Sequence, residues 1–463
     1  MPSLNVPQIG PLPTERLGQR ADRLLARVEL PELAPLRLNQ VTGLLRAHRA
    51  ELETDPRGEP IVRRELLAFS PTPAALDKAA AAGMPVLRRR VLDGLDEVMV
   101  VLQVPEGMGS AEALALLRAG DPEGSYDFNH IYTGSGGTVR SAMVGGAAIV
   151  STVGGAAGVS TVVGATGVST MGGAASVSTV GGAASVSTMS GAATVATVAG
   201  AAAVGAPPAA PRKRGQHAVG LVDSGVDAAH EVFDDAGIRR WGCDDQPHPS
   251  EHGTAVAALM VGRAEHFRGV APDALLYAAD IYCDSPTGGS AERIAGALGW
   301  MARQQVAVIN LSLVGPSNVT LGRVVAAMVQ RGYLLVAAVG NDGPAAPPLF
   351  PASYPGVVGV SAVDRQGRTL AEAARGPQVM FAAPGNNMVS AAPGAPPYRQ
   401  VRGTSFAAPI VAALLAGQLD APDREAARRA LAALASQASG AAAEQTGLGI
   451  VGQKYRIEPS SMR

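Results

Sequence analysis

Ser405 stands in the run Gly403-Thr404-Ser405-Phe406-Ala407-Ala408-Pro409, just ahead of a small, apolar stretch at 410–415. A Gly-Thr-Ser turn that opens directly into a helix sets a hydroxyl among backbone N–H groups with no intrahelical partner, and such donors can hold a negative oxygen. Pro409 fits the first turn, where its missing N–H costs nothing. An ordinary capping serine would look the same in isolation. Two upstream segments separate the readings. Val222-Asp223-Ser224-Gly225 ends an apolar stretch with a carboxylate at a turn, and Glu251-His252-Gly253-Thr254 starts a helix of small residues with an imidazole. A serine alcohol becomes a nucleophile only when a base takes its proton, which His252 can do near neutral pH, with Asp223 orienting the imidazole. Singly, these residues also read as a strand-end aspartate and a helix-capping histidine. The chain order Asp, His, Ser is one of three in which such a triad recurs.

Val222-Asp223-Ser224-Gly225, His252-Gly253-Thr254 and Gly403-Thr404-Ser405 resemble the three signatures of the subtilisin-like serine proteases. Ala338-Val339-Gly340-Asn341-Asp342-Gly343 resembles the segment that carries that family's oxyanion-hole asparagine. The resemblance covers roughly residues 215 to 455. It implies a serine endopeptidase working through an acyl-enzyme, with Asp223, His252 and Ser405 catalytic and Asn341 in the oxyanion hole. Asn310-Leu311-Ser312-Leu313-Val314-Gly315 resembles the strand that pairs with the substrate peptide, which makes Ser312, Leu313 and Gly340 substrate-binding. The implied partner is a protein or peptide, with no cofactor, and no aspartate cluster argues for a metal site. Asp342 reads either as an acid near the pocket for the residue before the cleaved bond or as an exposed aspartate.

These side chains need a scaffold. Near-continuous apolar strands are predicted at 217–222, 275–282, 306–311, 333–339, 357–363 and 379–383, and helices at 252–261, 290–304, 320–330 and 405–416. Buried strands alternating with amphipathic helices predict an α/β fold, a parallel sheet with helices on both faces. Ligands in such sheets bind at the carboxyl ends of the strands, where Asp223 and Asn341 fall.

Upstream, helical spacing predicts one or two amphipathic helices across 13–54. A strand at 65–69, a helix at 73–82, strands at 85–92 and 97–104, a helix at 110–119 and a last strand at 128–132 predict a small α+β domain over 1–132. By resemblance of layout this is a prodomain that inhibits the enzyme in a precursor; an unrelated α+β binding domain is the competing reading. Residues 133–214 form a Gly/Ala/Ser/Thr/Val tract. It carries no charged residue between Ser141 and Pro211 and has a nine-residue period. Its small side chains favour a flexible linker over a stacked β coil. The tract ends in Arg212-Lys213-Arg214-Gly215, an exposed junction where cleavage would free a catalytic domain of 215–455 with a short tail at 456–463.

The 463 residues carry a formal net charge of -1, which gives no electrostatic reason to expect nucleic acid, and no apolar run reaches the length of a membrane span. The start, Met1-Pro2-Ser3-Leu4-Asn5-Val6-Pro7, lacks a secretory signal pattern, so the secreted or cell-envelope location implied by the resemblance stands beside a cytoplasmic one. Cys243 and Cys283 allow a disulfide or two reduced thiols, with the thiols favoured. A rival from another functional class is a structural or surface-assembly protein built on the repeats, with the protease domain serving for self-processing.

Overall fold

The computed structural model describes residues 36–135, 137–138, 217–440 and 443–462, with five short segments between 148 and 188. Two compact units emerge, one formed by 1–138 with 209–463 and the other by 139–208. The helix expected from residue 13 onward lies outside the described residues as far as residue 35, and the whole basic run 212–215 lies outside them.

The larger unit is built on a seven-stranded parallel sheet. Its strands are β8 (Ala218–Asp223), β9 (Ile238–Trp241), β10 (Leu275–Asp280), β11 (Val308–Leu311), β13 (Leu334–Ala338), β14 (Val358–Val363) and β15 (Val379–Pro384), in the order β9-β10-β8-β11-β13-β14-β15. Alternation along β8 shows how a fully buried strand serves both faces. Val219 and Leu221 join the core beneath helices α4 (Glu251–Val261) and α7 (Thr404–Ala416). Ala218 and Val222 join the opposite core with α5 (Ala291–Arg303) and α6 (Val319–Gln330). Gly220 lets the α5 side approach closely, since a Cβ would lie 2.8 Å from the sulfur of Met301 and 3.0 Å from Ile309 Cγ1, and those side chains would have to shift. Ser290 and Asn318 cap α5 and α6 through their side chains, which fixes where each helix starts.

The N-terminal part holds α1 (Leu36–Ala47), α2 (Pro73–Ala81) and α3 (Ser110–Gly120) with β1 (Leu52–Thr54), β2 (Pro60–Phe69), β3 (Val86–Leu92), β4 (Glu97–Gln103) and β5 (Ser125–His130). The five strands form one antiparallel sheet. The expectation of helix throughout 13–54 fails at its end. Leu52 is buried and pairs across to Val62, because the neighbouring strand offers backbone partners that local periodicity cannot register.

One face of this sheet covers its own core of Leu66, Val100, Leu114 and Phe128. The other contributes Leu67, Leu92, Met99 and Val101 to the core shared with α5 and α6. At that junction Arg88 donates to Glu65 at 2.7 Å and to Glu292, in the first turn of α5, at 2.6 Å. Asp127 accepts the backbone N–H of Val319 at 2.6 Å, which sets a carboxylate on the N-terminal end of α6.

Two features differ from expectation. Cys243 and Cys283 are bonded to each other, joining the loops that follow β9 and β10. In the second unit, strands at Ala148–Val153, Thr166–Met171 and Ala184–Thr188 pair in parallel, as do Ala157–Val162 and Ala175–Val180. Partners such as Ala148 and Thr166 are two nine-residue repeats apart, so alternate repeats stack in place of the free linker favoured by composition.

Candidate active site

Asp223 ends β8 at its carboxyl end, almost wholly buried. Its Oδ1 accepts from the Ser224 N–H at 2.7 Å, the Ser224 hydroxyl at 3.0 Å and His252 Nδ1 at 2.7 Å. A carboxylate can only accept, so Nδ1 carries the proton and Nε2 is left as the basic nitrogen. Burial pushes the His252 imidazole down, but the charge and hydrogen bond of Asp223 more than offset it and hold the ring above its ordinary value.

The residues after His252 explain its placement. The Gly253 N–H donates to the Ser224 hydroxyl at 3.1 Å, and a Cβ there would meet the Ser224 carbonyl at 2.1 Å. Thr254 accepts the N–H of Asp227 at 2.9 Å. The start of α4 is thereby fastened to the turn that carries the aspartate.

Ser405 is the second residue of α7, entered through Gly403 at φ +135°, a backbone geometry that favours glycine. Its Oγ is buried and bonded to no described residue, and the same holds for His252 Nε2. The neighbouring Phe406 ring lies 5.5 Å from the imidazole, centre to centre.

Asn341 follows β13. Its Oδ1 accepts the Thr404 N–H at 3.0 Å, and its Nδ2 donates to the backbone carbonyl of Ser135. Gly340, at φ +104°, donates its N–H to the Thr404 hydroxyl at 3.2 Å, and a Cβ on it would meet Leu349 at 2.7 Å. Ser312 is engaged three times, its hydroxyl accepting from Asn310 Nδ2 at 2.9 Å. Its hydroxyl donates to the Ser405 carbonyl at 2.8 Å, and its carbonyl accepts the N–H of Ser135 at 3.3 Å. Asp342 accepts the backbone N–H of Arg37 at 3.2 Å and is half-buried, unlike the exposed aspartate considered above.

The cleft holds a piece of the chain itself. Ile131 bridges to Ser290, and the Tyr132 N–H donates to the Gly289 carbonyl at 2.9 Å. β6 (Thr133–Gly134) pairs antiparallel with β12 (Leu313–Val314), Gly134 opposite Leu313. A Cβ on Gly134 would lie 3.8 Å from the imidazole of His252. Beyond, β7 (Gly137–Thr138) pairs antiparallel with β16 (Tyr398–Arg402), the strand that leads into Gly403. The chain therefore enters between two walls, presents the Ser135 carbonyl to Asn341 beside the Ser405 helix, and leaves along a third strand. Ser224, Thr404 and Gly289 were not singled out from sequence, since hydroxyl and glycine positions in turns carry no distinguishing local signal.

The model of the subtilase family matches residues 215–451. Subtilisin-like protease 1 of Trichophyton rubrum is 38% identical over 209 residues, covering 42% of this chain and 40% of the relative. Its counterpart in Arthroderma gypseum is also 38% identical over 209 residues, with 42% of that protein covered. The chain thus spans about two-fifths of the length of these curated relatives. Among solved structures, fervidolysin from Fervidobacterium pennivorans, a keratinolytic enzyme related to subtilisin, superposes with a TM-score of 0.60 at 19% identity, over 87% of this chain and 62% of that one. At that identity the likeness concerns the fold.

Proposed function

Because the chain belongs to the subtilase family, we propose that it is a serine endopeptidase in which Asp223, His252 and Ser405 act as the triad and Asn341 as an oxyanion donor. The observation that supports this most is the bond from Asn341 to the Ser135 carbonyl, on a peptide segment that runs between His252 and the N-terminus of α7.

The chemistry follows from these contacts. Ser405 Oγ attacks the carbonyl carbon while its proton passes to His252 Nε2, and the carbonyl π pair moves onto oxygen. Asn341 Nδ2 and the backbone N–H of Ser405, in the first turn of α7, hold the resulting oxyanion. Collapse breaks the C–N bond, with the imidazolium giving its proton to the leaving amine. Water then attacks the acyl-enzyme by the same route and restores Ser405. Asp223 keeps Nε2 in the accepting form and stabilises the imidazolium between steps.

The same reading extends to maturation. The bond after Ser135 is the first one cut, and the N-terminal domain is the inhibitor that fills the cleft until it leaves. Its hold comes from β6 on β12, the Arg88–Glu292 ion pair and the apolar face against α5 and α6. A cut there leaves the repeat tract on the catalytic piece, whereas a cut at Gly215 would remove it.

Mass spectrometry of the purified chain tests both parts. The expected products are a fragment ending at Ser135 and a catalytic fragment starting at Gly136, with S405A remaining intact and refusing a fluorophosphonate label. Hydrolysis or labelling retained by S405A removes the triad assignment. A first cut elsewhere removes the maturation site and leaves the enzyme.

A further inference from the structure

The Cys243–Cys283 bond joins the loop after β9 to the loop after β10, and the second of these loops is a wall of the cleft. Within residues 281–289, Tyr282 donates its hydroxyl to the Tyr132 carbonyl at 3.2 Å and Gly289 accepts the Tyr132 N–H at 2.9 Å. Asp280 sets the start of that loop by accepting the N–H groups of Tyr282 at 2.9 Å and of Cys283 at 3.0 Å. Around the bond, Cys243, Asp244, Asp245, Cys283 and Asp284 stand in the left-handed region, at φ between +49° and +62°. Such backbone is costly for a residue with a Cβ, so both loops keep this shape under constraint.

Both cysteines are half-buried and line an open cavity of about 790 Å³, which gives a soluble thiol access to the bond. The two sulfurs are not equivalent. Arg293 Nη1 lies 3.0 Å from the Cys283 sulfur, where its fixed positive charge favours a thiolate. A carboxylate oxygen of Asp280 lies within 4.8 Å of both sulfurs and therefore does not choose between them. In thiol–disulfide exchange the sulfur that better carries negative charge leaves faster, which makes Cys283 the leaving group and Cys243 the sulfur attacked.

We propose that the Cys243–Cys283 bond is a site of exchange with dithiols that sets how firmly the cleft grips a peptide, tight when oxidised and loosened when reduced. A thiolate of the dithiol attacks the Cys243 sulfur, the S–S bond breaks, and its electron pair leaves with Cys283 beside Arg293. The second thiol of the reductant, once deprotonated, attacks its partner sulfur in the mixed disulfide and releases Cys243 as a thiolate. The protein gains two electrons, the dithiol becomes an intramolecular disulfide, and its two protons pass to solvent or to the freed sulfurs. With the bridge open, the left-handed residues relax, and Tyr282 and Gly289 lose their fixed position against the peptide.

This inference rests on the endopeptidase reading, and the test separates the two. The full chain is incubated until self-cleavage is complete, and kinetics are measured with and without dithiothreitol on two substrates. One is a quenched fluorescent peptide copying residues 130–139, which reaches Gly289; the other is an acetylated Gly-Ser coumarin amide, which stops short of it. Alkylation and mass spectrometry follow the thiols. The expected result is that the bond opens, KM for the long peptide rises at least about 5-fold with kcat little changed, and the short substrate is hydrolysed as before. C243S/C283S is expected to show the raised KM from the start and no response to dithiothreitol. A bond that dithiothreitol leaves intact, reduction without a change in KM, or a variant with the parent's KM overturns the inference and leaves the endopeptidase standing. Equal loss on both substrates also overturns it, because that marks a bond that only holds the fold together. Fluorophosphonate labelling of Ser405 without cleavage of the long peptide overturns the inference alone, and no cleavage with no labelling overturns both. In a second arm, R293M is expected to slow the appearance of thiols at least about 3-fold, and an unchanged rate overturns the polarity assigned to the exchange.

Discussion

Asn341 accepts the backbone N–H of Thr404 at 3.0 Å, which orients its amide so that Nδ2 points at the carbonyl of Ser135. The donor is thereby aimed before any charge develops, the condition under which such a bond favours the transition state over the ground state. N341A should lower kcat by about 10²–10³-fold with little change in KM, the scale known for loss of one oxyanion donor in this family. Steady-state kinetics on a peptide substrate check it, and a loss confined to KM would contradict the role.

The hydrogen bond from His252 to Asp223 predicts a pH profile. With His252 as the base proposed above, catalysis would need the neutral imidazole, and Asp223 holds the ring's proton affinity above its ordinary value. The acid limb of kcat/KM should therefore have its midpoint above about 6.5, and D223N should move that midpoint down while lowering kcat by about 10⁴-fold. A midpoint that stays in place in D223N would show that another group titrates.

Glu292 links the N-terminal domain to α5. Burial pushes its carboxyl up, and Arg88 with Arg90 more than offset this, so the folded-state value lies below the unfolded one. Its contribution is then present above the unfolded value and is lost as pH falls through the depressed folded value. Because Arg88 is partly exposed, E292Q should cost only about 1–2 kcal/mol. Denaturant unfolding of the S405A chain at neutral pH measures this directly. Its difference from the E292Q/S405A chain should shrink as pH falls below the ordinary glutamate value of about 4.3 and through the depressed folded-state value.

The Cys243–Cys283 bond closes a stretch with a sequence separation of 40. Chain-entropy arguments assign a loop of that size about 4 kcal/mol, an upper bound when the unfolded chain keeps structure. C243S/C283S should lower the unfolding free energy by about 2–4 kcal/mol, and a reductant should destabilise the parent chain but not the variant. Equal midpoints for parent and variant would show that the bond contributes nothing to stability.

What the sequence determined by itself was the central sheet and the turn and helix start that bring Asp223 and His252 to its carboxyl ends. β8, β10, β11, β13, β14 and β15 were legible because strands buried on both faces read as short apolar runs, and Asp223 and His252 because turn and helix-start chemistry is local. The edge strand β9 and the strand β16 escaped, being short and partly exposed, so their side chains show little alternation. Tertiary structure alone decided what occupies the cleft. Thr133 and Gly134 pair with Leu313 and Val314 through backbone groups that every residue type possesses, so no side-chain pattern announces the pairing. The same holds for the Ser312 hydroxyl turning toward the Ser405 carbonyl, for the ring of Tyr132 filling the space that Gly315 leaves, and for Cys243 reaching Cys283. Each depends on where the fold brings together residues far apart in the chain, and periodicity within a window of about 11–18 residues carries no information about that.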